Sequence, residues 1–160
     1  MLKKKIIPVF LASVLVISGT AGFSAGIVSE NVYASEEAHT QRLSDFADLL
    51  DANQEEELET KLNQISEDYD CDIVVDIEES IDGMDPTAYA DDFFDYNDYG
   101  MGDDKSGILF MLTMSERKWA ISTHGEAISI FTDAGQEYIT DNIVSYFSDG
   151  DYYEGFTQFA

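Results

Sequence analysis

Carboxylates are the residues of this chain best suited to chemistry, and they concentrate in the segment DDFFDYNDYGMGDDKSG, residues 91–107. Hard divalent cations such as calcium take roughly six to eight oxygen ligands from carboxylates, carbonyls and water. The helix–loop–helix calcium pattern is matched at only some positions of this segment: Asp95, Asn97, Gly100 and Asp103. Ser106 stands where that pattern requires a bidentate glutamate, and a strand pattern follows instead of a helix. The segment is therefore not an EF-hand, but it predicts a looser oxygen site for a cation.

Four aspartates are the candidate ligands of this cation: Asp45, Asp103, Asp104 and Asp133. We expect Asp103 and Asp104 to approach the carboxyl end of the strands, where α/β proteins commonly bind ligands. Asp133, at a predicted helix start, and Asp45 would complete the set. The alternative is an acidic loop that only meets water, because a run of charges is usually a solvated surface.

Three further acids, Asp91, Asp95 and Asp98, recur at helical spacing on one face of a predicted helix. Like charges at this spacing repel one another unless they are solvated or bridged. We therefore predict a solvated face that takes no part in the site. The aromatic residues of the same helix are expected to face the core: Tyr89, Phe93 and Tyr96.

Signatures of hydrolytic enzymes are largely missing from the sequence. It contains no G-x-S-x-G elbow, no H-E-x-x-H helix and no paired histidine ligands. Ser122, Thr123 and His124 include a nucleophile and a base, but consecutive strand residues point in alternating directions. We therefore predict no hydrogen-bonded dyad there and assign no catalytic residue.

The charge of the chain narrows its partners. The chain has 33 acidic and 8 basic residues, a formal net charge of −25, which repels nucleic acid and anionic membrane surfaces and attracts cations. Nucleic acid is thereby excluded as a partner. The length of 160 residues with 44% hydrophobic content suits one globular domain. Cys71 is alone in the sequence, so no intramolecular disulfide can form.

The amino terminus has the pattern of an export signal. Three lysines precede an apolar run over residues 6–17, and Val32-Tyr33-Ala34 offers small residues for cleavage. We predict a signal peptide over residues 1–34, a linker over residues 35–41, and a secreted or cell-envelope protein. The apolar run is shorter than the ~20 residues that span a bilayer, and an uncleaved anchor is the alternative. A membrane anchor beyond Ala160 is also left open, because the chain stops within an amphipathic helical pattern.

The elements that must position these residues alternate between helix and strand. Capping patterns and periodicity predict helices over about 52–69 and 86–96, and two more beginning near Asp133 and Asp151. Apolar runs predict buried strands over residues 72–77 and 107–113, with an antiparallel partner over residues 117–123. The sequence thus predicts an α/β fold, a three-layer α/β/α sandwich with a small mixed β-sheet.

These patterns together resemble the TPM domain family, whose members occur in bacterial envelopes and the thylakoid lumen and are often labelled TPM phosphatases. The resemblance covers residues 42–160 and rests on short motifs in a characteristic order: LSDFADLL, Ala90–Phe94, Gly100 and Gly102, Ser106–Leu109, Arg117, Phe131–Asp133 and Gly150–Tyr152. It implies an α/β/α sandwich that binds divalent cations such as calcium near its loop ends, with these matching acids: Asp45, Asp103, Asp104 and Asp133. In one departure, the family's glycine–aliphatic–glutamate segment is here Gly125-Glu126-Ala127, which argues against Glu126 as a ligand.

Two functions follow from the resemblance. Some members resemble accessory or assembly factors of membrane complexes, which implies a non-catalytic envelope module with a loop-stabilising cation and an envelope or membrane protein as partner. Phosphatase activity is claimed for others, which implies a metal-dependent phosphomonoesterase whose carboxylates hold a water-activating metal. Because no activated nucleophile or general base is evident and the negative charge repels phosphate, we favour the accessory role.

Overall fold

A computed structural model of the protein describes residues 41–160. The predicted signal peptide and residues 35–40 of the predicted linker lie outside the described residues. Within residues 41–160, one open mixed sheet has the strand order β1-β2-β3-β4. Its strands are β1 Leu43–Asp45, β2 Asp72–Glu78, β3 Gly107–Thr113 and β4 Lys118–His124. The first three strands are parallel, and β4 pairs antiparallel with β3.

The pairing register gives the sheet two distinct ends. At one end, Asp72 pairs with Gly107, and Gly107 pairs with His124. We call this end, where β2 and β3 begin and β4 finishes, the amino edge. The opposite end, where Asp45, Glu78 and Thr113 finish their strands, is the carboxyl edge.

Helices cover both faces of the sheet, as predicted. They are α1 Ala52–Tyr69, α2 Pro86–Tyr96, α3 Ala127–Ile130, α4 Asp133–Asp149 and α5 Tyr152–Phe159. Helices α1, α4 and α5 pack on the face that carries Val75 and Phe110, whereas α2 packs on the face that carries Val74 and Met111. The predicted α/β sandwich with a mixed sheet is therefore confirmed. None of the helices within residues 41–160 combines the length and the hydropathy needed to span a bilayer.

Local signals place the first helix and the central strands. Asp51 caps α1 by accepting hydrogen bonds from the backbone of Asn53 and Gln54, while the Gln54 side chain accepts from the Asp51 backbone. This reciprocal pair is the predicted capping box, and it fixes the start of α1. Strands β2 and β3 are buried almost throughout, as their continuous apolar runs predicted.

The inner face of α2 matches the predicted stripe in part, because Tyr89 and Phe93 are partly buried against the core. Ala90 and Phe94 are its buried residues, whereas Tyr96 is 88% exposed. Phe94 instead lies close to Gly107, where a β-carbon would come within 2.6 Å of its ring. Because Gly107 leaves room for the Phe94 ring where α2 packs on β3 and β4, the most buried positions of α2 are Ala90 and Phe94, and Tyr96 lies outside the contact. Two elements without a sequence-based assignment are the strand β1 and the short helix α3.

Candidate functional site

The carboxylate of Asp45, the first predicted cation ligand, accepts hydrogen bonds from the protein backbone. Its Oδ1 accepts a hydrogen bond from the Ala47 N–H at 3.1 Å, and its Oδ2 accepts from the N–H groups of Leu49 and Leu50, both at 2.8 Å. Three donors on one carboxylate form a turn of the chain between β1 and α1. Asp45 therefore has a structural role here that accounts for its side chain.

Asp103 and Asp104 lie at the other end of the sheet. Both precede β3, whose first residue, Gly107, pairs with Asp72 at the amino edge. Asp45 pairs with Ile77, five residues further along β2, which corresponds to about 17 Å along a strand. The expectation that Asp103 and Asp104 approach the carboxyl ends of the strands is wrong, because both residues lie just before the first residue of β3, at the amino edge.

Asp104 ties two loops of the amino edge together. The backbone N–H of Glu126 donates a hydrogen bond to its Oδ2 at 2.8 Å. Gly125 makes this approach possible: its φ is +59°, and a β-carbon there would lie 2.5 Å from the backbone oxygen of Asp104. Asp103 beside it is exposed. Asp104 thus orders the connection from β4 to α3.

Asp133 is the exposed first residue of α4. A carboxylate there is favoured by the positive end of the helix dipole. The predicted cap by Asp133 is not formed, because Thr132 occupies the N-cap position. Across residues 41–160, no three His, Cys, Asp or Glu side chains are grouped so that they could hold a metal ion. The four predicted ligands therefore do not fit a single preassembled cation centre.

A buried ion pair, which the sequence analysis did not identify, holds the acidic loop. Arg42 Nη2 lies 2.7 Å from Asp72 Oδ1, and both side chains are buried. The second oxygen of Asp72 accepts a hydrogen bond from the Gly100 N–H at 2.6 Å. Further along the loop, Lys105 Nζ pairs with Asp98 Oδ1 at 2.9 Å. Protein contacts therefore order this loop, and the rarity of basic residues in the chain is the signal that could have pointed to Arg42.

Two exposed acids of α2, Asp91 and Asp95, lie beside polar residues of β4. Ser122 Oγ donates a hydrogen bond to Asp91 Oδ1 at 2.5 Å, and Asp95 Oδ1 lies 3.9 Å from His124 Nδ1. Asp91, Asp95 and Asp98 are all exposed, as the predicted solvated face requires, but two of these acids also contact residues of β4. The reason is tertiary, since α2 crosses β4 and its helical repeat meets the alternate residues of the strand.

Ser122 and His124 do form a hydrogen-bonded pair. Ser122 Oγ lies 2.7 Å from His124 Nε2, and the predicted absence of a dyad is wrong. Strand residues two apart point to the same face, so only Thr123 is turned away. The i, i+2 spacing was the signal that could have identified the pair.

The directions of the hydrogen bonds in this pair do not suit nucleophilic catalysis. In the arrangement in which the Ser122 hydroxyl donates to Asp91, the facing nitrogen of His124 donates to Ser122 Oγ and does not act as its base. Ser122 is also only 2% exposed. The imidazole stacks on Phe94 with ring centroids 3.9 Å apart. The network therefore joins α2 to β4 and shows no activated nucleophile.

A further carboxyl group is buried without a partner in the middle of the sheet. Asp76 is 0% exposed, and neither of its oxygens has a hydrogen-bond partner among residues 41–160. It pairs in register with Ser44 on β1 and Met111 on β3. Burial, and secondarily the charge of Glu78, raise the pKa of Asp76 well above its usual range. A charged residue within the apolar run DIVVDI was its sequence signal.

Comparison with known proteins places the chain in a family. The family model described as TPM domain matches residues 43–160. The chain belongs to the TPM domain family. The resemblance noted in the sequence is thereby confirmed for the domain. The match does not test the predicted site residues. A comparison with curated proteins found no match.

Solved structures with this fold come from several bacteria. The TPM domain is similar to the N-terminal domain of a P. gingivalis protein, with 21% identity, a TM-score of 0.67, and coverage of 77% of this chain and 79% of that one. It is also similar to the N-terminal domain of the cg2496 protein from Corynebacterium glutamicum, with 17% identity, a TM-score of 0.62, and coverage of 79% of each chain. The BA42 protein from Bizionia argentinensis has 16% identity and a TM-score of 0.61, with coverage of 72% and 79%. At these identities the likeness establishes the fold.

Proposed function

We propose that this TPM domain is a non-catalytic accessory module of the cell envelope that docks on an envelope or membrane protein. The observation that carries the proposal is an apolar cavity of about 310 Å³ at the amino edge. Its lining includes Tyr69 and Ile130, which are 76% and 63% exposed. Large apolar side chains that remain exposed around a cavity are typical of an interaction surface.

The arrangement of the acids supports an accessory role over the phosphatase alternative. A metal-dependent phosphatase needs carboxylates that converge on one metal and one attacking water. Here Asp45 is separated from Asp104 by most of the length of β2, and each accepts backbone hydrogen bonds. Phosphomonoester hydrolysis remains the alternative outcome of the assay below.

Divalent cation binding, with calcium as the first candidate, is part of the same proposal but is limited to the exposed loop around Asp103. A net charge of −25 concentrates cations at the surface. Because the loop is already ordered by Arg42 and Asp72, the cation would add stability and would not create the fold. We expect weak binding, in the range of about 10⁻⁴–10⁻³ M that extracellular calcium modules show.

Calcium titration with thermal melting and a phosphoester assay on the same sample tests this function. Calcium is expected to raise the melting temperature by mass action without any phosphoester turnover. The Asp103→Asn variant should reduce the calcium response, whereas Asp92→Asn, an exposed acid on α2, should retain it. Turnover that chelator abolishes would instead establish the phosphatase.

Docking is tested separately with the apolar surface. In crosslinking in intact cells, a defined adduct of the wild-type chain is expected to be lost in Ile130→Glu. A matched charge in Ser145→Glu, an exposed position on α4, should leave the adduct in place. An adduct that both variants retain would contradict docking at this surface.

A further inference from the structure

A second cavity lies at the opposite end of β3 from the acidic loop. Its volume is about 620 Å³, within the range of about 300–1,000 Å³ that is usual for small-molecule sites. The lining comes from the end of β3, the start of β4, the last turns of α4 and the start of α5. The charged and aromatic residues of this lining are Arg117, Trp119, Phe147, Asp149 and Tyr152.

The walls of this cavity include aromatic rings that are only partly covered. Trp119 stacks against Phe110 with centroids 6.3 Å apart, yet it remains 42% exposed. Phe147 stacks on the same Phe110 at 5.5 Å and on Tyr152 at 6.3 Å. An apolar group entering between Trp119 and Phe147 would remove this exposed ring surface from water. The cavity therefore suits a ligand with an apolar body.

One basic side chain without a partner, Arg117, lies at the same cavity. Three basic side chains within residues 41–160 are already partnered: Arg42 with Asp72, Lys105 with Asp98, and Lys61 with the carbonyl of Thr157. Over the same residues, the side chains of Arg117 and its neighbour Lys118 have no hydrogen-bond or ion-pair partner. Arg117 alone of these two lines the cavity. In so acidic a chain, an unpaired guanidinium beside an aromatic cavity is a candidate for binding an anion.

Arg117 has an unusual backbone conformation, and the adjacent Glu116 does not pair with its guanidinium. Its φ is +52°, a left-handed conformation that favours glycine or asparagine at such a turn. The carboxylate of Glu116 is turned to other donors: Thr113 Oγ1, Ser80 Oγ at 2.8 Å and the Gly83 N–H at 3.2 Å. These hydrogen bonds, from Thr113 first, lower the pKa of Glu116 to about 2. Glu116 is therefore already engaged, and Arg117 occupies a turn position that its side chain does not favour.

The remaining charges of the cavity decide which anion fits. Asp149 also lines it and ends α4, whose carboxyl terminus carries about half a negative charge from the helix dipole. The single guanidinium of Arg117 can pair with one negatively charged group of a ligand, whereas Asp149 and the helix terminus would repel a second negative charge. A phosphate monoester dianion is thereby disfavoured.

We propose that this cavity is a binding site for a carboxylate carried on an apolar body, with Arg117 pairing the carboxylate and Trp119 and Phe147 covering the body. Two sources share this chemistry, the C-terminal residue of a protein chain and a small organic acid. The site is independent of the proposed docking surface, which lies at the amino edge.

Fluorescence of Trp119 tests the proposal directly, because it is the single tryptophan of the chain. The probe is 3-cyclohexylpropanoate, which does not absorb where tryptophan is excited, and its amide and hexyl phosphate are the comparison ligands. The acid is expected to change the emission saturably, while the amide binds at least about tenfold more weakly, since a charge-assisted hydrogen bond is lost. An acetylated Leu-Leu peptide with a free carboxylate, compared with the small acid, distinguishes the two sources by which binds more tightly.

Variants separate the role of Arg117 from general effects. Arg117→Asn, which suits the left-handed backbone, should weaken binding of the acid by about tenfold or more. Lys118→Gln should change it by less than about threefold, as expected for an exposed charge outside the lining. Asp149→Asn should strengthen binding, whereas Asp141→Asn on the same helix should not. Circular dichroism of each variant checks that it is folded.

Three results would overturn the assignment. They are the absence of a saturable Trp119 response to the acid, equal affinity for acid and amide, and unchanged affinity in folded Arg117→Asn. Binding of hexyl phosphate as tightly as the carboxylate would refute the restriction to a monoanion. None of these readouts depends on calcium or on phosphoester turnover, so the result stands apart from that of the proposed accessory role.

Discussion

Replacing Asp76 with Asn is expected to stabilise the protein at neutral pH. The side chain is completely buried in β2, and among residues 41–160 its two oxygens have no partner. Burial first, and the negative charge of Glu78 second, raise the pKa of Asp76 well above its usual range. Asn has nearly the same shape as a protonated Asp but needs no proton to be neutral. The variant therefore removes the free energy required to neutralise the buried acid.

The free energy of protonating an aspartate at neutral pH sets an upper limit on this gain in stability. A buried carboxylate without a partner takes up a proton instead of remaining charged. Protonating an ordinary aspartate at pH 7 costs about 4 kcal/mol, because its reference pKa near 3.9 lies about three units lower at roughly 1.36 kcal/mol per unit. The unsatisfied polar atoms of Asn and of neutral Asp cost similar amounts and largely cancel. We expect Asp76→Asn to gain about 1–4 kcal/mol at pH 7.

Urea unfolding over a series of pH values from acidic to mildly alkaline provides the assay. For an acid whose folded pKa is raised, the favourable contribution is complete below the unfolded pKa and is lost as pH rises through the folded pKa. The wild-type free energy of unfolding should fall relative to Asp76→Asn by up to about 1.4 kcal/mol per pH unit within that window. The difference should be smallest near pH 4. Asp92→Asn, an exposed acid on α2, is the control and should show no such gain.

Two results would refute this reasoning. A stability difference that is constant from pH 5 to pH 8 would mean that folding does not change the protonation of Asp76. A wild-type protein that is more stable than Asp76→Asn at pH 8 would mean that the carboxylate is charged and has a favourable partner in solution.

Other contacts predict losses of stability, all measurable by urea unfolding. Ser122→Ala removes the hydroxyl that joins α2 to β4 and should cost about 1–3 kcal/mol. Arg42→Gln leaves the buried carboxylate of Asp72 without its cation and should cost about 3–5 kcal/mol. Gly100→Ala should destabilise clearly more than Gly83→Ala: both have positive φ, but only at Gly100 would a β-carbon meet backbone, at 2.5 Å.

Specific outcomes would contradict these explanations. Equal losses for Gly100→Ala and Gly83→Ala would show that backbone conformation, and not the close approach of the loop, controls the effect. Retention of full stability in Arg42→Gln would mean that Asp72 finds another partner. An unchanged free energy of unfolding in Ser122→Ala would show that the hydroxyl does not stabilise the contact between α2 and β4.

Much of the fold could be predicted because its signals are local. The Asp51 capping box and apolar periodicity define α1, and the predicted range of residues 52–69 is the observed one. The β-branched apolar run in β2 indicates a strand covered on both faces, which the structure confirms. Strand β1 has only three residues and depends on pairing with β2, so no local pattern announces it. Interactions between residues close in sequence carry the first kind of information, and pairing between distant segments carries the second.

The candidate site was far less predictable, because the partner of a charged residue depends on which elements meet in space. The sequence by itself determined the TPM domain, the helices and strands other than β1 and α3, and the strongly acidic composition. Only the tertiary structure decided that Asp45 and Asp104 lie at opposite ends of the sheet and that Ser122 lies between Asp91 and His124. Strand direction and register set the first, and the crossing of α2 over β4 sets the second. Neither the strand register nor the helix crossing can be read from the spacing of residues along one segment.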